Sequence, residues 1–210
     1  MLTYEKQEEW KIITGFMQSP IDIKTASCKK MRLSGKNQIH LNYNQQIEAV
    51  EEFFYNHIFH SLGQAEIWSR KYDLVQYHFH APSEHAIDGK KFDLEGHFVH
   101  TGKNGQLAVI GVFFTIGKEN QAFEEVLLKM EGKSTFEVKH IMDFFPENKQ
   151  YYHYLGSLTT PPLTESVEWF IFKETKEISL HQLKRFEKIH NCNCRNLQPE
   201  HARLILDVTE

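Results

Sequence analysis

The strongest constraint in this chain is a pair of short runs in which chemically active residues recur with a spacing of two. The first is Gln76-Tyr77-His78-Phe79-His80 and the second is Glu95-Gly96-His97-Phe98-Val99-His100. Side chains two apart on a strand point to the same face. Gln76, His78 and His80 therefore project together, while Tyr77 and Phe79 take the opposite face. On the second run Glu95, His97 and Val99 share a face. If the runs pair, at a strand separation of about 4.8 Å, three imidazoles converge on one zinc ion at about 2.0–2.1 Å each. Three protein ligands leave a fourth position open, as catalytic zinc sites require. Chance pairing is the competing explanation, because the chain has 13 histidines. The flanking polar residues argue against it. Metal-bound imidazoles pass their other ring proton to a carboxylate, amide or carbonyl. Gln76 and Glu95 each stand two residues before a ligand, on a face where a polar group in an apolar strand needs a partner.

The rest of the chain narrows the class. Net charge is -4 with both signs interleaved, so no basic face announces nucleic acid or an anionic membrane. No apolar run approaches the roughly 20 residues that cross a bilayer. The first eight residues lack the apolar stretch of a signal peptide. The three cysteines are an odd set, and Cys192-Asn193-Cys194 places two of them too close for an easy mutual bridge. Both observations set the expectation of a cytoplasmic protein with free thiols. A trimmed signal would make it periplasmic or secreted instead.

No linker, repeat or break in composition divides the sequence, so one domain is expected over residues 1–210. Leu74 to His80, Glu95 to His100, Leu107 to Ile116 and Val167 to Phe172 read as strands, rich in β-branched and aromatic residues. Leu107 to Ile116 is nearly all apolar, as for a strand covered on both faces. Asp88-Gly89 and Gly102 to Gly105 read as turns. A helix is expected from Ser179 to about Ile189, opened by a capping box of Ser179 and Gln182, with Leu180, Leu183, Phe186 and Ile189 as its apolar stripe. A second is expected from about Asn120 to Met130. With 16 phenylalanines for a core, the expected class is mostly β with peripheral helices.

Three further segments bear on the histidines: Gln18-Ser19-Pro20-Ile21-Asp22-Ile23, Ala81-Pro82-Ser83-Glu84-His85, and Tyr154-Leu155-Gly156-Ser157-Leu158-Thr159-Thr160-Pro161-Pro162. In this order and together they resemble the α-class carbonic anhydrases, over Tyr4 to about Arg203. The resemblance implies a large, twisted, mainly antiparallel central sheet with a conical cleft. It implies reversible hydration of carbon dioxide to bicarbonate and a proton, by attack of zinc-bound hydroxide, and sensitivity to sulfonamides. His78, His80 and His97 match the zinc ligands. Thr159 matches the residue that orients the hydroxide, and Glu84 the carboxylate that takes the threonine proton, since a carboxylate can only accept. An acid paired with His85 is the competing reading of Glu84.

Gln76 and Glu95 match the partners of the first and third ligands, and the Asn193 carbonyl matches the group that orients His80. Val99, Val109, Leu158, Thr160, Val167 and Trp169 match the wall that receives substrate. Of these, Val99 also follows from alternation alone. His57 falls at the position of the proton shuttle, a task that suits a group titrating near 6.5, with His60 close by. An ordinary surface histidine is the alternative for His57.

Two departures stand out. Ala81 replaces a common tryptophan. Ile13 and Leu163 occupy the places where secreted members join two cysteines, so that bridge cannot form. A homodimer is a further expectation, since bacterial members often pair. The competing functions are a non-catalytic module of the same fold, which typically lacks a ligand that this chain keeps, and a cupin-like oxygenase or zinc hydrolase, which the three extra segments do not fit.

Overall fold

The computed structural model describes residues 3–10, 15–133 and 137–210. Ile13 lies outside the described residues. The strands in chain order are β1 (Asp22–Ile23), β2 (Lys29–Arg32), β3 (Ile39–Phe53), β4 (Asn56–Ile67), β5 (Arg70–His80), β6 (Ala86–Ile87), β7 (Leu94–Gly102) and β8 (Leu107–Ile116). After helix α1 (Gln121–Met130) follow β9 (Tyr151–Ser157), β10 (Glu165–Phe172), β11 (Lys176–Ile178), helix α2 (Leu180–Ile189) and β12 (Leu206–Thr209).

Ten strands form one sheet in the order β2-β12-β9-β10-β8-β7-β5-β4-β3, with β11 beside β8. Its centre, from β3 to β8, is antiparallel, while β10 and β11 run parallel to β8 and β2 runs parallel to β12. The sheet is thus mixed, with antiparallel pairs in the majority. The short β1 and β6 pair separately and in parallel.

Alternation on β5, β7 and β8 separates two apolar layers. One face carries Tyr77, Phe79, Phe98, Ile110 and Phe114 into a large core that also takes Phe123 and Leu127 of α1, Leu183 and Phe186 of α2, and Phe144. The opposite face carries Val99, Val109, Phe113, Val167, Trp169 and Ile171 into a second, smaller core. β8 is covered on both sides, as its unbroken apolar run implies, and both its faces are buried over residues 108–114.

The helices start where their caps stand. Asn120 Oδ1 accepts from Phe123 N at 3.0 Å at the head of α1. At α2, Ser179 Oγ accepts from Gln182 N, and Ser179 N donates to Gln182 Oε1, closing the capping box. The expected stripe on α2 is narrower than four residues. Leu183 and Phe186 are buried, but Leu180 is 49% exposed and Ile189 only half-buried.

Two hairpins join the long strands. Phe54-Tyr55 links β3 to β4 and Trp68-Ser69 links β4 to β5, all four residues in the left-handed region, as a two-residue turn with both central φ positive demands. Asp88-Gly89 also turns with both φ positive, and Gly105 does so before β8.

Candidate metal centre

β5 and β7 are in register so that His78 faces His97 directly, His80 faces Glu95, and Gln76 faces Val99. The three imidazoles consequently meet on one face. Their ring centroids stand 4.9 Å (His78 to His80), 5.3 Å (His78 to His97) and 4.7 Å (His80 to His97) apart. One nitrogen from each lies within 4.8 Å of the other two. His100, three further along β7 and so on the opposite face, lies outside this trio: it is buried with Nε2 2.6 Å from the Tyr43 hydroxyl.

His78 and His80 each have one nitrogen engaged away from the centre, and His97 has one beside a carboxylate. His78 Nδ1 donates to Gln76 Oε1 at 2.8 Å, and His80 Nδ1 donates to the Asn193 carbonyl at 2.6 Å. His97 Nε2 lies 2.9 Å from Glu95 Oε1, approached obliquely rather than in line. With Nδ1 of His80 spent on a carbonyl, its Nε2 carries a lone pair, and that atom is buried with no hydrogen-bond partner among the described residues. An orphaned, fully buried acceptor of this kind is costly unless something electropositive fills the space before it. Burial, reinforced by the neighbouring rings, holds His78 well below the ordinary imidazole range. Burial also lowers His80, against the opposing pull of Glu84. Neutral imidazoles are the ligand form. The donor set, its burial and the free nitrogens fit a divalent metal of the zinc type.

Glu84 is buried beside this trio. Its Oε1 accepts from Arg195 N at 2.6 Å. Its Oε2 stands 3.6 Å from His80 Nε2 and 3.9 Å from His97 Nδ1 and accepts no hydrogen bond. The expected link from Thr159 to Glu84 is therefore not made: Thr159 is buried on the loop after β9, but the free carboxylate oxygen turns to the imidazoles instead. Nor does Glu84 pair with His85. His85 Nδ1 donates to Glu95 Oε1 at 2.7 Å, and its Nε2 accepts from the Tyr154 hydroxyl at 2.6 Å, which in turn lies 2.8 Å from Ser19 Oγ.

Glu95 Oε2 also accepts from the backbone of Glu84 and His85. Burial works against its charge, but His85 and His97 outweigh that and hold Glu95 well below the usual carboxylate range. His85, Glu95 and His97 come close enough to suggest a second metal position. The hydrogen bond between His85 Nδ1 and Glu95 Oε1 already accounts for the closeness of that pair. Ser19, Tyr154 and His85 stood in the recognised segments, but nothing in the sequence alone joined them into a relay behind Glu95.

The expected wall is assembled. Val99, Val109, Val167 and Trp169 are buried in one cluster with Leu158 packed against it, and the Trp169 ring stands 4.9 Å from that of His97, edge to face. Outside it opens a cleft of about 350 Å³ lined by His78, Gln76, His60, Leu158, Thr160 and Pro161. Leu163, in one of the places of the missing bridge, is buried with a left-handed φ of 62°.

His57 does not line this cleft. It shares a strand face with Phe59, whose ring stacks on Tyr77 in the larger core, and its Nδ1 is 2.8 Å from His190 Nε2 at the end of α2. Burial lowers His57 despite nearby Glu52. His60, on the alternate face, is the histidine that enters the cleft, with Nε2 3.2 Å from Glu51 Oε2.

Fold and site thus define a β protein whose central sheet presents a buried three-histidine position able to hold a metal, opening onto a cleft. Residues 5–208 match the family of eukaryotic-type carbonic anhydrases. Alpha carbonic anhydrase 7 of Arabidopsis thaliana is 31% identical, covering 96% of this chain and 78% of that protein. A carbonic anhydrase of Nostoc sp. is 31% identical, covering 92% and 76%. The α-carbonic anhydrase of Thermovibrio ammonificans, solved with the inhibitor sulfanilamide, is 38% identical with a TM-score of 0.84, covering 92% of this chain and 88% of that one. The chain belongs to the eukaryotic-type, or α-class, carbonic anhydrase family. It is an enzyme of that family, whose substrate is carbon dioxide or bicarbonate.

Proposed function

We propose that the protein is a zinc enzyme that hydrates carbon dioxide reversibly at the His78-His80-His97 centre. The observation that carries this reading is the fully buried Nε2 of His80, without a hydrogen-bond partner among the described residues, amid two further imidazoles, one bonded to Gln76 through its other nitrogen and one with its other nitrogen beside Glu95. A zinc ion bound there acidifies water to a pKa of about 7 and so supplies a nucleophile at neutral pH. His78 and His80 would hold the metal through Nε2, since Gln76 and Asn193 take their Nδ1 protons, and His97 would hold it through Nδ1, since its Nε2 lies beside Glu95.

The chain's own groups do the rest. Val99, Val109, Leu158, Val167 and Trp169 present an apolar surface to a substrate without a net dipole and keep competing water away from it. Thr160 lines the mouth of the same cleft. Glu84 is fixed through Oε1 by Arg195 N; a turn of its free Oε2 from the imidazoles to the Thr159 hydroxyl would take that proton and leave the Thr159 oxygen as an acceptor for the reacting water. His60 carries the product proton from the cleft to solvent, in the place first expected for His57. The three free cysteines support a reducing location for the protein. Sensitivity to sulfonamides belongs to the same reading, by analogy with the Thermovibrio enzyme.

Stopped-flow measurement of carbon dioxide hydration, with bound zinc quantified before and after chelation, tests the proposal. Fast hydration that leaves with zinc and returns with it is expected. A fully zinc-loaded protein that hydrates no faster than buffer overturns it.

A further inference from the structure

The segment Cys192-Asn193-Cys194-Arg195 holds two groups of the centre at once. The Asn193 carbonyl accepts from His80 Nδ1, and its side chain donates to Phe79 O at 2.9 Å and accepts from Ala81 N at 3.1 Å. One residue beyond Cys194, Arg195 N fixes Glu84. On its outer side Gln7 clasps the segment, donating to Cys194 O and accepting from Asn196 N. The two thiols therefore flank the residue that aims a metal ligand. Their sulfurs are 3.9 Å apart, and both are free. Cys192 is exposed and already sits at φ 47°, in the left-handed region that a side chain disfavours. A pocket of about 350 Å³, walled by Tyr4, Gln7 and Tyr55, is also lined by both cysteines.

We propose that Cys192 and Cys194 form a redox site: a hydroperoxide closes them into a disulfide, and closure loosens His80 and Glu84 and slows catalysis. The inference about catalysis rests on the function proposed above. The thiolate of Cys192 attacks one oxygen of hydrogen peroxide and breaks the O–O bond. Hydroxide leaves, takes up the thiol proton as water, and Cys192 becomes a sulfenic acid. The Cys194 sulfur then attacks the Cys192 sulfur, the S–S bond forms, and the departing hydroxide leaves as a second water with the Cys194 proton. Two thiols are oxidised and one peroxide is reduced. Burial pushes the Cys194 thiol up to about 12, which leaves the first attack to Cys192.

Closure must draw the sulfurs about 2 Å nearer, to a bond of about 2.05 Å. Only one residue lies between them, so the Asn193 peptide has to turn, and its carbonyl is the acceptor for His80. The short spacing that makes this bridge difficult also makes it easy to reduce, as strained disulfides are. The result is a reversible device.

The test treats the zinc-loaded full chain with hydrogen peroxide, then with dithiothreitol, and follows intact mass with peptide mapping, zinc loss to a chelator, and hydration. The expected result is a loss of two hydrogens mapped to 192–194, faster zinc loss, and hydration lowered by about 10-fold or more, all reversed by dithiothreitol. Cys192→Ser resists each change, and Cys28→Ser behaves as the parent does. A disulfide that leaves zinc retention and hydration unchanged overturns the proposal, as do oxygen additions on cysteine without a cross-link. Should the reduced, zinc-loaded protein lack hydration, the catalytic reading fails. The mass and zinc-retention readouts then decide the redox site by themselves.

Discussion

His60 and Gln76 are direct partners across β4 and β5. Because Gln76 belongs to the face that carries His78 and His80, the pairing places His60 on the wall of the reactive cleft and turns His57 away. His60→Ala is expected to slow turnover about 10-fold or more in dilute buffer, with recovery when imidazole is added. His57→Ala is expected to leave the buffer dependence unchanged. Stopped-flow rates across a buffer series separate the two, and a defect confined to His57→Ala would return the role to that residue.

Gln76→Ala removes the acceptor of His78 Nδ1 but no ligand. Zinc affinity is expected to fall roughly 10- to 100-fold, while the unfolding midpoint of the metal-free protein stays within a few degrees of the parent. Competition with a chromophoric chelator measures the first and thermal unfolding the second. Unchanged affinity would mean that the hydrogen bond does not orient the ring.

Gly111 pairs directly with His97 across β7 and β8. A Cβ there would come 2.6 Å from Ile171 Cδ1 and 3.2 Å from Glu95 Oε1. The tip of Ile171 can swing aside, whereas Glu95 is fixed by its bonds to His85 and to two backbone amides. Gly111→Ala is therefore expected to cost little stability, about 1 kcal/mol, and Gly111→Val about 2–4 kcal/mol together with most zinc affinity. Urea unfolding and zinc titration of the two variants check this gradation.

Burial lowers His100 and His153 to about 4 each, with Glu168 opposing the shift at His153. Both are neutral in the fold at pH values where the unfolded chain binds their protons. Their contribution is complete above the unfolded value of about 6.5 and is lost as pH falls toward 4. Each is expected to cost on the order of 3 kcal/mol across that window. Urea midpoints measured from pH 7 to pH 4 should fall, and His100→Leu should flatten the slope. A midpoint independent of pH would contradict this.

The alternation of two in Gln76–His80 and Glu95–Val99 was enough to place the ligands, their partners and Val99 on one face, because a strand period of two admits no other grouping. The outer hairpins were not legible for an equally physical reason. Phe54-Tyr55 and Trp68-Ser69 make turns that usually call for glycine or asparagine, and β3 is exposed and polar over most of its length. With β4 unplaced, nothing in the sequence decided which of His57 and His60 faced the cleft. Resemblance supplied the Asn193 carbonyl, since 113 residues separate it from His80 and no local pattern spans that distance. The loose Thr159–Glu84 relation also lay beyond pattern, because it depends on how one carboxylate oxygen turns within a buried space.

That separation has a consequence for biosynthesis. The ligands on β5 and β7 are made early, but the groups that aim His80 and fix Glu84 come from Asn193 and Arg195, more than a hundred residues later. A nascent chain can display all three imidazoles long before His80 is locked. For any divalent ion this centre takes up, His80 and Glu84 are held in place only after residues 193–195 have been made and folded back onto β5.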